Sequence, residues 1–289
     1  MSPVFYSHKY VKDGYTLASK EEFIRQYWIE YGKKNREIAS YIGEKIQISC
    51  ISNLWIPDGS KDITPSRNEH RQILKQALDK VYEAEYPRET LIDTVESKLF
   101  GIGSEFYNVG SLEFYVAYAM SKRIGLTLDT GHLHPTEMVS DKISSVLPFL
   151  DNIVLHLSRG IRWDSDHVTV LTDELAEIMQ EINRGNAFHK VHIGTDYFDA
   201  SINRVGALAT GARAVCKAIL FALLEPTKAI RDAESEGDYF TRLALLEDLK
   251  TMPYGDVWNY YCKINNTPSD FEWIKEASGY EKKILSKRK

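Results

Sequence analysis

Six short apolar runs rich in β-branched residues recur along the first two thirds of the chain, separated by stretches with helical periodicity. The runs are Val4 to Tyr6, Ile46 to Ile51, Leu91 to Val95, Ile124 to Leu128, Ile153 to Leu157 and Val191 to Ile193. A strand that is apolar throughout must be covered on both faces, as in a parallel sheet flanked by helices. Helical patterns lie at Lys20 to Gly43, Arg67 to Ala84, Val109 to Ser121, Pro135 to Leu150 and Asp173 to Arg184, with the helix-starting residues Ser66, Thr136 and Thr172 nearby. This alternation defines an α/β chain and predicts a (β/α)₈ TIM-type barrel, incomplete at about six of its eight βα units. An open six-stranded sheet with its own edges satisfies the same pattern. Beyond the last run, from about Ser201 through Lys287, the pattern is helical and broken by Pro226, Pro253 and Pro268. The expected organisation is a partial barrel over 1–200 and a helical extension over 201–289, packing on the barrel or on a neighbouring subunit.

Composition narrows the classes of function. With 289 residues and 43% hydrophobic content the chain can bury the core of one large domain. A net charge of -5 offers phosphate no basic surface, so nucleic acid is not an expected partner. Cys50, Cys216 and Cys262 are odd in number and widely spaced, which suits free thiols in a reducing cytoplasm. The first residues lack a basic region followed by an apolar run, and no stretch reaches the roughly 18 apolar residues of a membrane span. A cytoplasmic protein without a membrane partner is the expectation.

In a parallel barrel the chemistry collects where strands end at their carboxyl side. Glu96 follows the run at Leu91, Asp129 and His132 follow the next, His156 lies near the end of the next, and Asp196 follows the last. Asp164 and Asp166 stand in the loop after His156. Gathering five carboxylates without cations is prohibitive, because a like-charged pair about 4 Å apart costs roughly 4 kcal/mol even at an effective dielectric near 20. Two divalent ions would nearly neutralise the set, and oxygen-rich ligation with imidazole suits manganese first, with zinc, cobalt or magnesium open.

Each motif also has an ordinary structural reading. The pair in His132 to His134 faces one side only in an extended loop, Asp164 and Asp166 can cap a turn, and His156 can be a satisfied core histidine. An acid at the end of each of three buried runs is harder to explain structurally, and the conjunction favours a metal site. Lys98, two residues past Glu96, is placed to hold a charged oxygen or polarise a carbonyl, and Trp55 to stack on a sugar face or to fill core. Gly101 to Gly103 lacks the third glycine of a dinucleotide loop and reads as backbone clearance. There is no Gly-x-Ser-x-Gly elbow and no cysteine with an evident histidine neighbour, so covalent catalysis is unsupported.

The segments VESKLFGIGSE, LDTGHLHPTE, SDKIS, RWDSDHV, HIGTDYFDASINR and ALLEP together resemble the L-rhamnose isomerase family along essentially the whole chain. The resemblance implies a (β/α)₈ barrel, a homotetramer and interconversion of L-rhamnose and L-rhamnulose with a divalent metal, usually manganese. It implies a structural metal on Glu96, Asp129, His156 and Asp196 and a catalytic metal on His132, Asp164 and Asp166. It also implies Lys98 near the reacting carbons and Trp55 as a wall of the sugar pocket. Family members carry a long N-terminal region with the first barrel strands and a ring-opening histidine, and that machinery is expected to be absent here. Gly160 and Ile161 stand where a proline is expected nearby.

The expected reaction moves hydrogen between neighbouring carbons of the open-chain sugar as hydride, with Asp196 among the groups handling oxygen protons. Two rival readings remain at this point. One is a metal-dependent hydrolase or phosphodiesterase on the same barrel; the other is a truncated, catalytically inactive remnant that binds metal or partner subunits.

Overall fold

The computed structural model describes residues 8–199 and 201–288, so the expected strand at Val4 to Tyr6 lies outside the described residues. The element order is α1 (Glu22–Ile46), β1 (Cys50–Trp55), β2 (Gly59–Ser60), α2 (Arg67–Val81), β3 (Leu91–Glu96), β4 (Tyr107–Asn108), α3 (Leu112–Lys122), β5 (Gly125–Asp129), α4 (Val139–Val146), β6 (Ile153–Leu157), α5 (Asp173–Arg184) and β7 (Val191–Thr195). Helices α6 (Arg204–Leu223), α7 (Thr227–Ser235), α8 (Tyr239–Leu249), α9 (Tyr254–Ile264) and α10 (Glu272–Lys283) follow. Among the described residues the main sheet has five strands in the order β1-β3-β5-β6-β7, while β2 and β4 form a small antiparallel ladder apart from it. Spatial order follows chain order without a reversal, so the sheet is singly wound, as in an incomplete (β/α) barrel; a doubly wound sheet would turn back on itself.

Two sequence expectations are corrected. The strand expected at Ile46 to Ile51 begins at Cys50 instead, because α1 runs on through Glu44 and Lys45 to Ile46 before Gln47 ends it in the left-handed region at φ 56°. Gly43, expected to end the helix, lies inside it. A Cβ there would overlap the carbonyl of Thr90, so glycine is what lets this helix pass so close to the backbone before β3. Helix α4 covers only Val139–Val146 of the stretch expected from Pro135. The segment before it turns first, with the Glu137 amide donating to His134 O at 2.8 Å.

The chain divides into two compact units. The first runs to His156 and includes Arg162–Asp164 and Lys190–Gly194; the second holds Leu157–Ile161, Ser165–His189 and the chain from Thr195 onward. In the first unit α1 packs on β1, β3 and α2. Arg36 of α1, 4% exposed, ties that packing together. Its guanidinium donates to Asp93 on β3 in a fork, Nε to Oδ1 at 2.9 Å and Nη2 to Oδ2 at 2.8 Å, and also to the carbonyls of Val81 and Ala84 at the end of α2. Tyr82 and Tyr86 each hold a ring about the same guanidinium at 5.0 Å. Asp58, in the loop after β1, accepts from the amides of Thr16 and Ala18 and from the Thr16 hydroxyl, and burial pushes its carboxyl up to about 6.

In the second unit α5 packs along α6, and the buried carboxylate of Glu225 locks their ends. It accepts from Gln180 at 2.7 Å and from Arg184 at 2.8 and 2.5 Å. Helix α6 has the length and apolarity to cross a membrane. Arg213 and Lys217 interrupt it, so it is not a continuous apolar run, and its alanines and glycines are small residues that suit close packing between helices.

Replacing Arg36 with Met keeps the buried stem and removes the charge, leaving Asp93 without its guanidinium. Urea denaturation is expected to show a loss of about 3 to 5 kcal/mol with an unchanged slope. A loss below about 1 kcal/mol, the range of exposed ion pairs, would count against the clamp.

Candidate metal centre

Parallel pairing sets Trp55 beside Glu96 and Asn53 beside Thr94 across β1 and β3, Glu96 beside Thr127 across β3 and β5, and Asp129 beside His156 across β5 and β6. Side chains alternate along a strand, so Asn53, Trp55, Thr94, Glu96, Thr127, Asp129 and His156 share one face of the sheet, with the ionisable members at the carboxyl ends. His132 enters from the turn after β5, where its amide donates to Asp129 O at 3.2 Å. Asp164 belongs to the same unit.

These groups converge. His156 Nδ1 lies 3.2 Å from Glu96 Oε1 and 3.9 Å from Asp129 Oδ2. His132 places Nδ1 3.2 Å from Glu96 Oε1 and Nε2 3.1 Å from Asp164 Oδ2. Lys98 Nζ forms an ion pair with Asp164 and stands 5.8 Å over the ring of Trp55, which lies nearly parallel to the His132 ring at 6.3 Å. Glu96, Asp129, His132 and Lys98 are all buried. Gly131 gives the turn its room, because a Cβ there would overlap Asp164 Oδ1 and stand 3.2 Å from Asp129 Oδ1. Gly101 likewise clears the Lys98 stem, whose Cε would be 3.1 Å from an added Cβ.

Burial and mutual charge set the protonation. For Glu96, burial alone would raise the pKa, but His132 and His156 more than reverse it and hold the carboxyl at about 2. Asp129 goes the other way: burial, helped by Glu96, pushes it up to about 7 against the pull of His132. Burial would lower His132, yet Asp129, Asp164 and Glu96 hold its imidazole well above the usual histidine range. Asp164 is lowered in spite of burial, by His132 and Lys98.

The donor chemistry fits divalent cations. Glu96, Asp129 and His156 each bring one ligand atom within 4.8 Å of the others, and so do Asp129, His132 and Asp164. Asp164 Oδ1 is buried with no hydrogen-bond partner among the described residues, and buried His132 Nδ1 meets Glu96 Oε1 at 3.2 Å without the alignment of a hydrogen bond, which is costly unless something else satisfies them. Oxygen and imidazole donors of this kind suit manganese, cobalt, magnesium or zinc alike.

Of the residues singled out in the sequence, the first unit thus brings together Glu96, Lys98, Asp129, His132, His156, Asp164 and Trp55. Asp166 and Asp196 belong to the second unit, where Asp166 O accepts from the amide of Phe198 and the amide of Asp196 donates to Leu157 O, both at 3.1 Å. His134 turns away from its pair: it is exposed and bonds Thr136 Oγ1 at 2.8 Å. Asn53 went unmarked in the sequence, although it donates to Glu96 Oε2 from the strand of Trp55. Its signal is a polar residue two positions before Trp55, which alternation places on the same face of the strand.

A family model described as L-rhamnose isomerase matches residues 1–288. The chain is similar to the L-rhamnose isomerase of Rhodopirellula baltica, 51% identical over 287 residues, which is 99% of this chain and 67% of that protein. It is likewise similar to those of Salmonella newport and Citrobacter koseri, each 50% identical over 99% of this chain and 68% of theirs. It therefore spans about two thirds of the length of these relatives. Among solved structures it is similar to an E. coli 3-keto-D-glucoside 4-epimerase, at TM-score 0.47 and 10% identity over 72% of this chain and 74% of that one. A Clostridium cellulolyticum D-psicose 3-epimerase has TM-score 0.44 and 10% identity over 69% and 74%.

Ligation requires neutral imidazole and ionised carboxylate, so cation uptake must expel the proton on His132 and, below about pH 7, the one on Asp129. Apparent Mn²⁺ affinity is expected to rise between pH 6 and 8 by about a factor of ten per pH unit for each proton displaced. Calorimetry in buffers of different ionisation enthalpy should show that release. Affinity independent of pH would contradict this protonation.

Proposed function

Since the chain belongs to the L-rhamnose isomerase family, a family of sugar isomerases, we propose that it interconverts L-rhamnose and L-rhamnulose. The observation that carries this reading is the convergence of Glu96, Asp129, His132, His156 and Asp164 at the carboxyl end of the sheet, with Asp164 Oδ1 buried and unpartnered among the described residues. Glu96, Asp129 and His156 would hold one divalent ion, and His132 with Asp164 a second, manganese being the first choice for both. Asp166 and Asp196 are proposed as further ligands on their motifs alone. When bound, such ions supply Lewis acidity and neutralise the carboxylates.

The chain's own groups do the rest. Lys98 is held by Asp164 and lies over Trp55, so its ammonium is fixed beside the ring proposed as the sugar wall. The Trp55 Nε1 is buried without a partner among the described residues, which leaves a donor for an oxygen that comes to that wall. Among the described residues the cluster's carboxylates are engaged: Glu96 by Asn53 and two imidazoles, Asp164 by Lys98 and His132, and Asp129 by the Gly131 amide and by His156 at 3.9 Å. Hydrogen therefore moves between the two carbons as hydride rather than through an enediol, while oxygen protons pass through ionisable groups such as Asp196. Family membership favours this isomerisation over phosphoester or other hydrolysis. A homotetramer in the cytoplasm is part of the same proposal.

Incubation of the full chain with Mn²⁺ and L-rhamnose is expected to yield ketose, with the deuterium of a substrate labelled at the transferring hydrogen retained in the product. Asp129→Asn and His132→Ala should each lower kcat/KM by about a hundredfold or more, since even residues outside the ligand shell cost roughly 10- to 100-fold. Complete loss of the label to solvent would overturn the hydride shift. Tight Mn²⁺ binding with no ketose formed would leave a metal-binding protein without the isomerase activity.

A further inference from the structure

Glu96 presents its two oxygens to different surroundings. Oε1 faces His132 and His156 at 3.2 Å each, inside the cluster of ligand atoms. Oε2 accepts from the side-chain amide of Asn53. Behind this amide, Thr94 Oγ1 lies 3.0 Å and Thr127 Oγ1 2.9 Å from Asn53 Oδ1, and the two hydroxyls lie 2.9 Å from each other. Thr94 and Thr127 are fully buried. An ionised carboxylate only accepts, so the amide nitrogen must face Glu96 and its carbonyl oxygen must take the threonine hydroxyls. The sheet register builds this arrangement: Asn53 stands beside Thr94 across β1 and β3, and Thr127 stands beside Glu96 across β3 and β5.

We propose that Asn53 is a positioning residue that occupies Glu96 Oε2 and so makes Glu96 a one-oxygen metal ligand through Oε1. The inference rests on the reading of Glu96 as a ligand. A carboxylate free to rotate can offer either oxygen or both, and each rotation takes Oε1 away from the atoms it must share an ion with. Asn53, locked by two buried hydroxyls, removes that freedom before the cation arrives. Outer-sphere partners of this kind typically carry roughly 10- to 100-fold in metal affinity.

The test is Mn²⁺ titration of the metal-free full chain, with free Mn²⁺ followed by its electron paramagnetic resonance signal, in a double-mutant cycle of Asn53→Ala and Glu96→Gln. Asn53→Ala alone is expected to weaken the Glu96-dependent binding step by about 10- to 100-fold and to cost little more in the Glu96→Gln background. Thr127→Val, which preserves shape, should give a smaller loss in the same direction, and it reads the same coupling if Asn53→Ala does not fold. An equal loss from Asn53→Ala in both backgrounds, or no loss beside a clear effect of Glu96→Gln, would overturn the positioning role. Unchanged affinity in Glu96→Gln itself would overturn the ligand reading on which the role depends.

Discussion

The interaction on which the site depends is the hold on the buried carboxylate of Glu96. A negative charge in that position has lost nearly all its water, and it persists only because two imidazoles and an amide replace the solvent. Each of these partners comes from a different segment: Asn53 from β1, His132 from the turn after β5, His156 from β6. The carboxylate therefore acts as the common point against which three segments are aligned. Asp129 shows what happens with less compensation. It is equally buried, His156 stands farther off at 3.9 Å, and burial pushes its carboxyl up to about 7.

A second constraint works on the opposite face of the same strand. Glu96 and Asp93 are three residues apart on β3, so alternation sends them to opposite sides: one to the site, the other to the covering helix. Asp93 meets Arg36 there, and the guanidinium gathers the end of α2 as well. The strand that carries the central carboxylate is thus fixed by charge on both faces. Glu225 plays a comparable part in the second unit, which explains why an acid occurs in the otherwise apolar segment ALLEP. That motif, noticed for its resemblance, is structural.

Much of this was legible in the chain itself because two periodic signals are strong. Apolar, β-branched runs mark strands covered on both faces, and acids at the ends of such runs have few structural explanations, so the sequence alone marks Glu96, Asp129 and Asp196, whereas His156 also reads as an ordinary core histidine. The signals failed where local and tertiary preferences diverge. Gly43 reads as a helix end, yet the helix continues through it because the missing side chain permits contact with the Thr90 backbone. His134 reads like His132, but the turn before α4 rotates it to solvent. Asn53 was invisible because a single amide in a strand carries no motif.

The order of residues alone therefore determined the α/β class, the succession of strand and helix, and the chemical character of the site, since these follow from hydrophobic periodicity and from the energetic cost of burying acids. Only the tertiary structure decided which oxygen of Glu96 faces the cluster, which of the paired histidines joins it, and where the protons reside. Those outcomes depend on pairing register and on distances of a few ångströms between residues far apart in sequence, and hydrogen bonding and electrostatics act on that scale, which local pattern does not record.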